Sequence, residues 1–164
     1  LAAPLAAGVP VTHRGVAHQV VITTGYGRNG SHPDLPEYRD YQTVVFLMSV
    51  GRVGRVAREL VDDRAFPPDT PALVVEKASC PEQRIVIGDL SDVAHLVEIH
   101  DIKPPATVVF GNAVRVLYPD HPHGLVQAAT DDPIFDVTND LPPRPAISLL
   151  PATAAPSDAL TPSL

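Results

Sequence analysis

One stretch near the start of the sequence combines glycine, proline and polar side chains in a form suited to binding an anionic ligand. Residues 8–15 read GVPVTHRG, in which Pro10 stiffens the chain and the glycines permit close approach of the backbone to a ligand. Arg14 supplies a planar, permanently charged donor that matches the geometry of a carboxylate. The alternative interpretation of this stretch is an ordinary surface loop.

Two further positions lie where apolar runs end or are interrupted. Met48 closes the run TVVFLM and is followed by Ser49 and Gly51. Most methionines in strands fill the core, but α/β folds bind ligands just beyond strand ends. Residues 111–113, Gly-Asn-Ala, interrupt another apolar run, and a glycine there indicates a bulge, a nearby ligand or tight packing.

Other chemistries find little support in the residue types. The seven histidines lack the cysteine partners or the HExxH helix of a metal site, and only His121 and His123 are close together. Cys80 precedes Pro81 and has no evident base beside it. Phosphate-binding glycine loops and GxSxG motifs do not occur in the sequence. We therefore assign no metal site and no catalytic residue, and the residues alone indicate an α/β domain with ligand-contacting glycines.

The elements that would position these residues follow from hydrophobic periodicity. Val53, Val56, Ala57 and Leu60 recur at helical spacing, which predicts a helix over 52–63. A second helix is predicted from Ser91 or Asp92 to Ile99. Apolar, β-branched runs predict strands over 17–24, 43–50, 72–76, 83–90 and 106–116. This alternation predicts an α/β fold with a mixed sheet and flanking helices, and with an antiparallel neighbour within 72–90.

The composition divides the chain into three parts. Residues 1–16 are predicted to be an interdomain linker that contains the THRG motif, and residues 17–117 to be one α/β domain. The chain has 19 prolines, and those that follow Pro119 stand among Ala, Ser, Thr and Asp. Proline is excluded from helix interiors and central strands, so residues 118–164 are predicted to be a disordered Pro/Ala-rich tail.

The charge and the single cysteine restrict partners and compartment. A formal net charge of −7 argues against nucleic acid and against an anionic membrane surface as partners. Apolar runs long enough to span a bilayer do not occur in the sequence. A chain with Cys80 as its one cysteine fits a reducing compartment, and we expect a cytoplasmic protein.

Four longer stretches resemble a known family. They are VPVTHRGVAHQVVITTGYG, TVVFLMSVGRV, DTPALVVEKASCPEQRIVIGDL and KPPATVVFGNAVRV. In this order and spacing, over residues 1–117, they resemble the second half of uroporphyrinogen-III C-methyltransferases, within the tetrapyrrole methylase superfamily. ASCPEQR and GYGRNG are most similar to the fungal branch.

The resemblance implies a function that the residues alone do not. Members of this family transfer methyl groups from S-adenosyl-L-methionine (SAM) to two carbons of uroporphyrinogen III and form precorrin-2, which in fungi supplies siroheme for sulfate assimilation. They are homodimers of chains with two α/β domains, and SAM binds between the domains. The chain then corresponds to the C-terminal domain of a tetrapyrrole methylase fold. By resemblance, Arg14 binds substrate carboxylates, and SAM is bound by Met48, Ala78, Gly111 and Ala113.

Two features leave alternatives open. The chain begins without Met and lacks the glycine-rich first domain of the family, so we expect it to be part of a longer protein. Such a half could instead be an inactive fragment or a protein-interaction domain. A different methyltransferase of the superfamily is the other alternative, although THRG together with ASCPEQR argues against it.

Overall fold

The structure, a computed structural model, describes residues 1–27, 34–120 and 122–127, and a mixed β-sheet is its central element. The strands are β1 (Gln19–Thr24), β2 (Gln42–Leu47), β3 (Pro71–Glu76), β4 (Arg84–Asp89), β5 (Ala106–Phe110) and β6 (Gly124–Gln127). The helices are α1 (Ala2–Ala6), α2 (Val53–Asp63) and α3 (Val93–Ile99), with 3₁₀ helices at Val50–Arg52 and Asn112–Val116. The predicted α/β class, with its mixed sheet and flanking helices, is confirmed.

The order of strands in the sheet is β1-β2-β5-β3-β4-β6. β1 and β2 are parallel, whereas β5 is antiparallel to both of its neighbours, β2 and β3. β3 and β4 form the antiparallel pair that was expected within 72–90. Because β5 lies between them in the opposite direction, β2 and β3 run the same way, and their C-terminal ends meet at one edge of the sheet.

Helices α2 and α3 cover one face of the sheet. The predicted stripe of Val53, Val56, Ala57 and Leu60 is buried, and Leu60 is completely enclosed. These side chains pack with Val93 and Leu96 of α3 against alternate strand residues. The stripe thus forms because residues three and four apart share a face of a helix.

Shorter pieces of chain cover the opposite face. Strand residues such as Val45, Leu73 and Val109 point to this side and pack against Val9 and Val114. Within the stretch predicted to be a linker, Ala2–Ala6 form the short helix α1, and the Tyr118 hydroxyl donates to the carbonyl oxygen of Ala7 at 3.1 Å. Tertiary contacts therefore hold this segment against the sheet.

The structure corrects the prediction for the last strand and the start of the tail. β5 ends at Phe110 rather than at residue 116, because Gly111 turns the chain into a 3₁₀ helix that buries Ala113 and Val114. Gly124–Gln127, inside the predicted tail, instead pair with the open edge of β4. Residues 128–164 lie outside the described residues, so for them the tail stays a prediction.

Helices in the described part of the chain include none that is long and apolar enough to cross a membrane.

The backbone conformation at position 111 requires glycine. It has φ 136° and ψ 164°, a region that is essentially restricted to glycine. A Cβ atom there would also come within 2.8 Å of the Gln42 carbonyl oxygen. We predict that Gly111→Ala lowers the free energy of unfolding by about 3 kcal/mol or more, measured by urea denaturation.

Gly15→Ala is the matched control. Gly15 also has a positive φ, 78°, but an added Cβ would meet no atom within 4 Å. Its substitution should cost only about 1 kcal/mol, the cost of left-handed backbone for a side-chain-bearing residue. Equal losses in the two variants would contradict a role for the close approach at Gly111.

Candidate functional site

A cleft of about 600 Å³ opens at the edge where β2 and β3 end and β5 begins. Its volume is within the range of about 300–1,000 Å³ that is usual for small-molecule sites. The walls are predominantly apolar. The lining residues are Tyr26, Leu47, Met48, Val50, Gly51, Val75, Lys77, Ala78, Cys80, Pro104, Pro105, Ala106 and Thr107.

Two of the predicted SAM-binding residues meet in this cleft. Met48 directly follows β2 and is 66% exposed, and Ala78 follows β3 and is half-buried. Met48 and Lys77 both have left-handed backbone, with φ of 52° and 46°. Such conformations are unfavourable for residues with side chains and cluster at functional sites. Apolar walls, an exposed thioether and a small residue are the lining expected of the predicted SAM site, and binding of SAM by Met48 and Ala78 stays a prediction.

A buried ion pair holds one wall of the cleft. Glu76, whose side chain is 4% exposed, pairs with the Nε of Arg84 across the β3–β4 ladder, and its other oxygen accepts from the Lys103 N–H at 2.8 Å. Arg84 also donates to the carbonyl oxygens of His100 and Asp101, at 2.8 and 2.9 Å. These bonds attach residues 100–103 to the end of the sheet, next to the lining prolines at 104 and 105.

This pair sets the ionisation of its own groups. Burial alone would raise the pKa of Glu76, but the hydrogen bonds from Arg84 and the Lys103 N–H, with the charges of Arg84 and Lys77, hold that pKa below its ordinary value. The same interaction raises the pKa of the Arg84 guanidinium. Glu76 therefore stays ionised at neutral pH despite its burial.

The turn between β3 and β4, which contains ASCPEQR, is built around Gln83. The Oε1 of this buried side chain accepts from the Ser79 N–H at 2.7 Å, and its Nε2 donates to the Ala6 carbonyl oxygen at 3.3 Å. The Lys77 N–H donates to the carbonyl oxygen of Pro105 at 2.9 Å. The turn is thereby fixed on one side to α1 and on the other to the proline wall.

Tyr26 forms another wall. The guanidinium carbon of Arg52 lies 3.8 Å from the centre of its ring, a cation–π contact. Gly25 allows β1 to reach this position, because a Cβ atom there would come within 2.7 Å of Ser49 Cα. Tyr26 is thus held beside the loop that follows Met48.

The structure does not bring the other three predicted residues to this cleft. Gly111 follows the C-terminal end of β5, and the four steps from Ala106 to Phe110 carry the strand about 13 Å from the cleft edge. Gly111 instead lines a smaller pocket of about 240 Å³ at the opposite edge, and Ala113 is 0% exposed. Arg14 is exposed in a turn closed by the His13–Ala17 bridge, before the N-terminal end of β1. Their ligand roles stay predictions.

Sequence reasoning missed several lining residues. Lys77, Pro104 and Pro105 stand in motifs that carried the family resemblance but were given no site role. Their contact depends on β5 running antiparallel between β2 and β3, which a strand pattern does not reveal. The strand-end position that drew attention to Met48 applies equally to Lys77 and was the available signal.

Comparisons with known proteins agree with one another. The family described as Tetrapyrrole (Corrin/Porphyrin) Methylases matches residues 1–94. A probable uroporphyrinogen-III C-methyltransferase of Schizosaccharomyces pombe is 38% identical over 117 residues, which cover 71% of this chain and 23% of that protein. A siroheme synthase of Gluconacetobacter diazotrophicus is also 38% identical, over 66% of this chain and 24% of that protein.

A solved structure shows the same fold. The uroporphyrin-III C-methyl transferase of Thermus thermophilus, complexed with S-adenyl homocysteine, aligns with a TM-score of 0.60 and 41% identity, covering 68% of this chain and 48% of that one. The chain thus spans under a quarter of the length of these two curated relatives and about half of the solved structure.

The depressed pKa of Glu76 predicts an acid dependence of stability. The folded state releases the Glu76 proton at lower pH than the unfolded state does, so this contribution is present at neutral pH and is lost as the pH falls through the folded pKa. Glu76→Gln should lower the free energy of unfolding at pH 7 by about 3 kcal/mol. Below about pH 4.5, the free energy of unfolding of the Glu76→Gln variant should depend less on pH than that of the wild type. Urea denaturation across this range measures both effects.

Glu37→Gln is the control, because Glu37 forms an exposed pair with Arg64 at 2.9 Å. Its removal should cost about 1 kcal/mol or less. A Glu76→Gln variant as stable as Glu37→Gln at pH 7 would show that the buried pair does not hold this edge.

Proposed function

The chain belongs to the tetrapyrrole (corrin/porphyrin) methylases, and from this premise we propose that it forms one wall of the active site of a uroporphyrinogen-III C-methyltransferase. The reaction is transfer of methyl groups from SAM to two pyrrole carbons of uroporphyrinogen III, which yields precorrin-2 for siroheme synthesis. Relatives named for uroporphyrinogen methylation and for siroheme synthesis support this proposal.

The observation that carries the proposal is the cleft at the ends of β2 and β3. Met48 and Ala78, the residues expected to contact SAM, reach the same apolar cavity from two different strands. The similar solved structure is a complex with S-adenyl homocysteine, the demethylated form of that donor. Binding of the methyl donor in this cleft therefore agrees with the apolar residues that line the cleft and with the ligand of the similar solved structure.

Methyl transfer from SAM does not require a general acid or base with an unusual pKa in this part of the protein. When bound, SAM would supply an activated methyl group to an electron-rich pyrrole carbon, and S-adenosylhomocysteine would be released as the bond between sulfur and methyl breaks. The residues of the cleft would orient the donor and exclude water from the reacting atoms, and both effects lower the barrier to transfer. Met48 would pack against the donor, and Ala78 would leave room for it.

The reaction itself tests the proposal. The full-length protein, incubated anaerobically with uroporphyrinogen III and SAM carrying a labelled methyl group, should transfer the label, and mass spectrometry should detect two added methyl groups. Transfer to a different tetrapyrrole only would indicate another methyltransferase of the superfamily.

A second candidate function is protein binding, favoured by exposed apolar side chains. Ile22 and Leu47, on adjacent strands, are 54% and 42% exposed. Large exposed apolar patches mark contacts with other protein surfaces, and for the active enzyme we propose a homodimer. Self-association in sedimentation without any methyl transfer would favour the binding function alone.

Met48 gives a site-specific prediction. Met48→Ala should weaken binding of S-adenosylhomocysteine by about 1 kcal/mol, roughly fivefold, because it removes apolar contact area. Ile99→Ala is a suitable control, since Ile99 is 55% exposed on α3 and does not line the cleft. Isothermal titration calorimetry measures both variants, and equal affinities would place the donor elsewhere.

A further inference from the structure

Lys77 stands apart from the other residues of the cleft. Of the residues lining it, Lys77 alone carries a formal charge at neutral pH, and its side chain is exposed. Its left-handed backbone, with φ 46°, is fixed by the bond from its N–H to the Pro105 carbonyl oxygen. A strained, fixed backbone thus presents one ammonium group at a predominantly apolar cleft.

The carboxylates of Glu76 and Asp101 are engaged by groups other than the Lys77 ammonium. Glu76, its neighbour in sequence, uses one carboxylate oxygen for Arg84 and the other for the Lys103 N–H. Asp101 pairs with the Lys103 ammonium at 2.6 Å. Among the ion pairs of residues 1–27, 34–120 and 122–127, none includes Lys77. The charge of Lys77 helps to lower the pKa of Glu76, but its ammonium forms no ion pair in the described part of the chain and can bind a ligand.

The charge of the whole chain makes this local cation important. At a formal net charge of −7 the protein repels anionic ligands at long range. An ammonium beside apolar walls attracts a carboxylate more strongly than it would in open water, because the walls reduce solvent screening. The cleft thus combines an apolar interior with one cation at its lining, which suits a ligand that has an apolar body and a carboxylate.

We propose that Lys77 binds a carboxylate of the ligand that occupies this cleft. The inference rests on the proposed methyltransferase function, which offers two sources of that carboxylate. One is an acidic side chain of the tetrapyrrole substrate, and the other is the amino-acid end of the methyl donor. The chemistry of recognition is the same for both.

The experiment compares Lys77→Asn with Lys77→Arg in the full-length protein. Asparagine tolerates left-handed backbone, so Lys77→Asn removes the charge without adding backbone strain, whereas Lys77→Arg retains it. Lys103→Gln is the charge-matched control, because Lys103 pairs with Asp101 and does not line the cleft. Binding of uroporphyrin, S-adenosylhomocysteine and methylthioadenosine, which lacks the carboxylate, is measured by calorimetry or absorbance at low and high salt.

We expect Lys77→Asn to weaken binding of one carboxylate ligand about five- to tenfold at low salt and less at high salt, with Lys77→Arg and Lys103→Gln near the wild type. A loss confined to uroporphyrin identifies the substrate as the source. A loss for S-adenosylhomocysteine but not for methylthioadenosine identifies the donor.

If the protein binds both carboxylate ligands and transfers methyl groups, and Lys77→Asn leaves both affinities unchanged, the role of Lys77 is overturned. The proposed methyltransferase function then still stands. A wild-type protein that binds none of the three ligands overturns the proposed function as well.

Discussion

The cleft depends on one interaction, the buried pair between Glu76 and Arg84. Both carboxylate oxygens of Glu76 and all three guanidinium nitrogens of Arg84 form hydrogen bonds. Two of those nitrogens donate to main-chain carbonyl oxygens of a different segment. A charge pair with so few unsatisfied groups offsets the desolvation that burial imposes. It joins the end of the β3–β4 hairpin to the chain that leads into β5, and this junction carries the proline wall.

The direction of the strands decides which residues can share a ligand. β5 runs against β2 and β3, so its first residue lies level with their last residues, and Glu76 pairs with Ala106 in the ladder. Met48 and Ala78 accordingly meet at one edge, whereas Gly111 is carried to the other. Residues that belong to motifs of the same family can therefore lie at opposite ends of the same sheet.

Sequence patterns predicted the regular elements well where periodicity was strong. The stripe from Val53 to Leu60 has the spacing of a helix, and the β-branched runs around Val74 and Val86 are typical of buried strands. β6 was missed because Gly124–Gln127 is short and stands near prolines, and its pairing depends on the free edge of β4. α1 was missed because AAPLA is also short, and tertiary contacts rather than a local pattern hold it in place.

The site was predictable in part. A methionine at a strand end, together with the family resemblance, pointed to Met48, and the resemblance pointed to Ala78. The arrangement around Lys77 and the prolines could not be anticipated, because it depends on which strand inserts between which others. Gly111 illustrates the converse, since its requirement for glycine follows from backbone geometry whether or not a ligand is nearby.

The amide of Gln83 has a mechanical consequence. One end of this side chain is bonded to α1 and the other to the turn that holds Ala78. A shift of α1 would be transmitted over a single side chain to the rim of the cleft, without passing through the sheet. The short helix α1 and the turn beside the ligand cavity are therefore joined directly by one side chain.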